Sequence, residues 1–133
     1  MTTLKRLYLS KNRINLNENT FHGLENIEII DFSFNLLTKI KSNSFHNLNK
    51  LKTLYLSGNP IHSIESNGFR GLDVIEILCL HGNRFREMEG LKLNTFQHLS
   101  SLKSLSLCTS QTNYFDSSMY VGLENLEQIN FKI

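Results

Sequence analysis

Three groups of residues have the types and spacing to do chemistry. Ser57 and His81 lie 24 residues apart and pair a hydroxyl with an imidazole. A nucleophile of that kind needs a third group, a carboxylate, to orient the imidazole. Cys79, His81 and Cys108 are ligand types that zinc accepts, but a structural zinc site takes four. Tyr8, Asp31 and Tyr55 place a carboxylate between two phenol rings. That composition suits an interface anchor better than a reaction centre. Each group can meet in space only if the chain returns to the same face every 24 residues or so.

The chain does repeat at that interval. Leu51-Lys-Thr-Leu54-Tyr-Leu56-Ser-Gly-Asn59-Pro-Ile61 spells LxxLxLxxNxL, and the spelling restarts at Leu4, Ile27, Leu51, Ile75, Leu102 and Leu126. Every residue at the first, fourth and sixth positions of these six units is Leu, Ile or Phe. At 40% hydrophobic content this has a chance probability on the order of 10⁻⁷, so the repeat is real. The alternation puts Leu54 and Leu56 on one face of a short strand, which cannot bury that face alone. Stacked coils can, with parallel strands ~4.8 Å apart. Asn12, Asn35, Asn59 and Asn83 follow the strands at a fixed offset. A side-chain amide there can satisfy turn backbone in its own coil and the next. Phe21, Phe45, Phe69, Phe96 and Tyr120 form a second column on the return path, each followed three residues later by Leu. Core packing is the role expected of all five rings.

On these motifs the whole chain resembles the leucine-rich repeat family, and most closely its 24-residue type. That type is familiar from Toll-like receptors and leucine-rich-repeat G-protein-coupled receptors. The resemblance implies an α/β solenoid, a right-handed horseshoe segment with a parallel sheet on the concave face. Its convex side would be irregular or short-helical. Residues 1–133 then form one repeat domain, five coils and a truncated sixth. The family's extracellular members are flanked by cysteine-rich caps, which solenoids need to cover their terminal core. With none in view, the expectation is a fragment of a longer array, able to self-associate through its uncapped ends.

The outward strand residues form rows that a partner would touch. Lys5, Glu28, Lys52, Glu76, Lys103 and Glu127 alternate in sign, which reads as a structural charge ladder. The next row is Arg6, Ile29, Thr53, Ile77, Ser104 and Gln128, and the central row is Tyr8, Asp31, Tyr55, Cys79, Ser106 and Asn130. Ser10, Ser33, Ser57, His81, Cys108 and Lys132 lie one step further out. Tyr8, Asp31, Tyr55, Ile29 and His81 are therefore the expected partner-binding residues. Asp31 would sit two coils from His81, near 10 Å, too far to orient it. A flat sheet also lacks a closed pocket, so no enzymatic activity, cofactor or metal is expected. Cys79 and Cys108 should lie roughly 8 Å apart between Cα atoms, beyond disulfide reach. Two coils break the pattern. The fourth carries three extra residues within Glu87–Leu93, and the fifth has Ser110 in place of the ladder Asn.

Composition narrows the partners. A net charge of only +2 gives no bulk attraction to nucleic acid or an anionic membrane. No apolar run reaches the ~20 residues of a membrane-spanning helix. A protein or peptide ligand is expected, with no nucleic acid and no direct membrane contact. The resemblance implies the ligand-recognition segment of an extracellular or membrane-anchored receptor. Free thiols and sixteen Asn residues without an Asn-x-Ser/Thr sequon lean instead toward a cytoplasmic scaffold or regulatory subunit.

Overall fold

Residues 3–85, 94–108 and 117–132 are described in a computed structural model. The fourth-coil insertion and the Ser110 segment fall almost wholly outside them. Each repeat contributes one short strand to a single parallel sheet: β1 (Arg6–Tyr8), β2 (Ile29–Asp31), β4 (Thr53–Tyr55), β6 (Ile77–Cys79), β7 (Ser104–Cys108) and β8 (Gln128–Lys132). The spatial order is β1-β2-β4-β6-β7-β8, which is chain order once the return strands are set aside. Register follows the repeat without slippage: Leu7, Ile30, Leu54, Leu78, Leu105 and Ile129 are successive partners.

The inward row explains why the strands form. Ile30, Leu54, Leu78 and Leu105 are fully buried, as are Phe32, Leu56, Leu80 and Leu107 two positions on. Each such side chain contributes about 1.5–3 kcal/mol by leaving water. Leu7, Leu9, Ile129 and Phe131, in the terminal coils, are only partly buried because each packs against a neighbour on one side. Ladder bonds run on past the strand ends, with the Leu9 N–H donating to Asp31 O at 2.8 Å and the Leu80 N–H to Ser106 O at 2.8 Å.

The asparagine column closes the turn after each strand. Asn59 is buried; its Oδ1 accepts from the N–H groups of Asn35 and Leu37, both at 3.1 Å. Its Nδ2 donates to Phe32 O and Leu56 O, also at 3.1 Å. Asn35 repeats the pattern one coil earlier, donating to Leu9 O at 2.9 Å and accepting from Ile14 N–H at 3.1 Å. Each amide thereby ties its own turn to the preceding coil.

On the return side, Phe21, Phe45, Phe69 and Phe96 stack with centroids 6.0 to 6.3 Å apart. Tyr120 departs from the expected column. It is exposed, and Met119 takes the buried place. A 3-10 turn at Ser117–Tyr120 rotates the chain there by one residue relative to the other coils. Two further strands, β3 (Lys39–Ile40) and β5 (Ser63–Ile64), pair in parallel away from the main sheet. This small second sheet buries Ile40 and Ile64 and was not expected from an irregular return path.

Candidate functional site

The sheet face brings the expected binding residues into contiguous rows. Arg6, Ile29, Thr53 and Ile77 are aligned partners, and so are Tyr8, Asp31, Tyr55 and Cys79. Tyr8 is exposed, while Ile29, Asp31 and Tyr55 are half-buried. Ile77 is more open than Ile29, so the apolar row extends one residue beyond the one singled out from sequence. The row order was already legible in the repeat; the structure adds that Ile77 is the more open of the two residues flanking Thr53.

Asp31 is held in place by a local bond, its Oδ1 accepting from the Ser33 N–H at 3.0 Å. Burial, then Cys79, then Asp31 and Tyr8 push the Tyr55 hydroxyl up from its ordinary value. Tyr55 is therefore a neutral hydrogen-bond donor throughout the physiological range. Burial raises the Cys79 thiol as well, against a lowering by the Ser106 hydroxyl 4.0 Å away. A thiol held protonated is a poor nucleophile.

His81 meets Ser57, with Nδ1 3.1 Å from the buried Oγ. Burial and then the Lys132 ammonium hold the imidazole below its usual range. The expected hydroxyl–imidazole pair thus exists, but no carboxylate bonds to His81 among the described residues. The pair has the ingredients of a hydrogen-bonded face residue and lacks the orienting group of a triad. Cys108 ends β7, two positions past the residue aligned with Cys79; its side chain lies outside what is described. Among the described residues no three His, Cys, Asp or Glu side chains converge on a metal-sized site.

The charge ladder is partly closed. Lys5 meets Glu28 at 3.3 Å and Lys103 meets Glu76 at 4.0 Å. Both pairs are solvent-exposed, so each contributes at most about 1 kcal/mol. The feature that sequence reasoning missed lies beside the sheet. Phe34 and Leu36 are exposed on the edge formed by the turns. The available signal was an aromatic residue at the position where the next two coils carry Gly58 and Gly82.

The stacked parallel strands, inward leucines and asparagine column define a leucine-rich repeat solenoid. The leucine rich repeat family model matches residues 2–61 and 28–85, and the chain belongs to that family. Among solved structures it is similar to a chain in the "Crystal structure of TLR13-ssRNA13 complex", at 25% identity and a TM-score of 0.71. That likeness covers 95% of this chain and 22% of the other, so this chain spans about a fifth of its neighbour's length. No curated protein matches the sequence. Among the described residues no helix is long and apolar enough to cross a membrane.

Proposed function

We propose that this repeat segment is a protein-binding module whose contact surface is the open sheet, centred on Tyr8, Asp31 and Tyr55, with Ile29 and His81 at its margin. The observation that carries the proposal is the aligned row in which two rings flank one anchored carboxylate. Nothing in the coil's own packing requires those residues, since the core is built by the alternate positions. Asp31 between the rings favours an Arg or Lys of the ligand, with cation–π contact from Tyr8 and Tyr55. The segment would belong to the ectodomain of a receptor, a reading supported by its likeness to the Toll-like receptor chain. It acts by binding, without catalysis.

That neighbouring structure holds single-stranded RNA. On this sheet, however, each Lys of the outer row stands beside a Glu, and the cations outside that ladder among the described residues, Arg6 and Lys132, lie on the two end strands and form no continuous track for a phosphate backbone. A protein ligand suits the charge pattern better.

The test is to pan a random peptide display library on the protein and to measure recovered peptides by calorimetry. Enriched peptides should carry Arg or Lys. Asp31→Ala and Tyr55→Ala should each weaken binding about thirtyfold, equivalent to ~2 kcal/mol. His46→Ala, on the return side, should bind like the parent. Parent-like binding by both sheet variants, with melting curves unchanged, would refute the assignment, as would displacement of the peptides by a single-stranded oligonucleotide.

A further inference from the structure

The turn after each strand passes through left-handed backbone at the same position in four coils: φ is 61° at Lys11, 57° at Phe34, 69° at Gly58 and 74° at Gly82. Glycine is the residue that conformation favours, and a bulky side chain there is a genuine outlier. Phe34 nonetheless occupies it, with 56% of its surface exposed. Its ring lies across the next turn, so close that a Cβ built on Gly58 would stand 2.4 Å from Phe34 Cδ1. The strained position therefore holds a ring against the backbone of the next coil, with more than half of the residue facing solvent. Strain of this kind persists where a local contact or a function holds it.

The surroundings point to what the ring would meet. Leu36, on the other side of the inward-facing Asn35, is 49% exposed. Pro60 is aligned with it one coil on and is half-exposed. Lys11 and Arg13 stand one coil before this apolar centre, and Arg84 two coils after it; all three are exposed. None of the three is in an ion pair among the described residues. Residues 10–15, 33–38, 57–62 and 81–85, which make this edge, include no Asp or Glu. Acidic residues described elsewhere in the fold include Glu28 and Glu76 on the sheet and Glu25 and Asp73 in the turns entering the strands.

We infer that the turn edge beside the sheet is a second docking surface, which takes an acidic, apolar segment of a protein partner. Phe34, Leu36 and Pro60 form its dry centre, and Lys11, Arg13 and Arg84 form its rim. An apolar anchor surrounded by charges of one sign is the anatomy of a protein interface. These cations complement carboxylates and would steer such a segment to the edge. A nucleic-acid strand fits less well. It would call for a succession of stacking rings along a cationic groove, and among the described residues this edge exposes one phenyl ring, that of Phe34.

The test uses the full chain and arrays of short peptides carrying Leu or Trp between Asp and Glu residues, with a matched array in which the acids are Lys. The parent should bind the acidic array and not the basic one, and binding should weaken as salt is added. Phe34→Gly keeps the backbone conformation that Gly58 and Gly82 already use. It should melt no lower than the parent yet bind at least about tenfold more weakly. Arg13→Glu combined with Arg84→Glu should do the same to binding. Tyr55→Ala should leave it unchanged, so failure here is distinguishable from failure of the sheet-face proposal. Equal binding to both arrays, or to neither, overturns the inference. So does parent-like binding by Phe34→Gly, a dependence on Tyr55 in place of Phe34, or competition by single-stranded RNA. Self-association of the parent that Phe34→Gly abolishes would assign the edge to a second copy instead.

Discussion

Asn59→Ala should be the most damaging single change that leaves the hydrophobic core intact. Five bonds disappear with the amide, but they do not count equally; the Ser57 carbonyl, which Nδ2 reaches at 3.4 Å, keeps the Phe34 N–H at 2.9 Å. The carbonyl of Phe32 keeps a bond from the Asn35 side chain at 3.1 Å, and that of Leu56 keeps one from the Asn83 side chain at 3.0 Å. The N–H groups of Asn35 and Leu37 have no such second partner, since both donate to Asn59 Oδ1. Two buried donors left unsatisfied cost about 1–3 kcal/mol each, so the expected loss is about 4 kcal/mol. For a chain of this size that is roughly 12–16 °C in Tm, a large share of the stability of an ordinary domain. The end of the column supplies the control. Asn12 is exposed and only donates, to Leu9 O at 2.9 Å and Ser10 O at 3.1 Å, so Asn12→Ala should cost less than about 1 kcal/mol. Circular dichroism melts of both variants give the comparison, and amide exchange at Asn35 and Leu37 reads the lost bonds directly. If Asn59→Ala melts within 3 °C or so of Asn12→Ala, the amide column is not what closes the turns.

Two further outcomes follow from burial on the two sides of the sheet. Leu54→Ala, at a fully buried position, should lower stability by about 2–5 kcal/mol in denaturant titrations; Lys52→Ala, exposed beside it, serves as the silent reference. An equal effect of the two would mean that the strand register is wrong. The imidazole of His81 is held below its ordinary value, so the unfolded chain takes up its proton more readily than the folded one. Its contribution to stability is complete above the ordinary histidine range and declines as pH falls through it. His81→Gln should flatten the pH dependence of Tm between about pH 5 and 7, and an unchanged slope would contradict the burial and Lys132 effects assigned to it.

Much of this molecule is legible in one dimension because a repeat converts sequence offset into spatial alignment. Once the coils start at Leu4, Ile27, Leu51, Ile75, Leu102 and Leu126, the inward leucines and the row Tyr8–Asp31–Tyr55 follow from period-two alternation. The asparagine column follows too, since each amide must serve backbone groups one coil away at a constant offset. What the period does not carry is the rotation of a turn, the tilt of a ring, or a contact between residues at unequal offsets. A 3-10 turn exchanged Met119 for Tyr120 in the core, although both are large enough to fill it. The β3–β5 pair arose where Ile40 and Ile64 sink inward on the return path. The period placed Ser57 beside His81 in the next coil, but the 3.1 Å bond between them depends on their rotamers. Phe34 reads in sequence as one more apolar residue near a strand. Only the left-handed turn beneath it, and the bare backbone of Gly58 beside it, turn its ring outward onto an edge that also carries Lys11, Arg13 and Arg84.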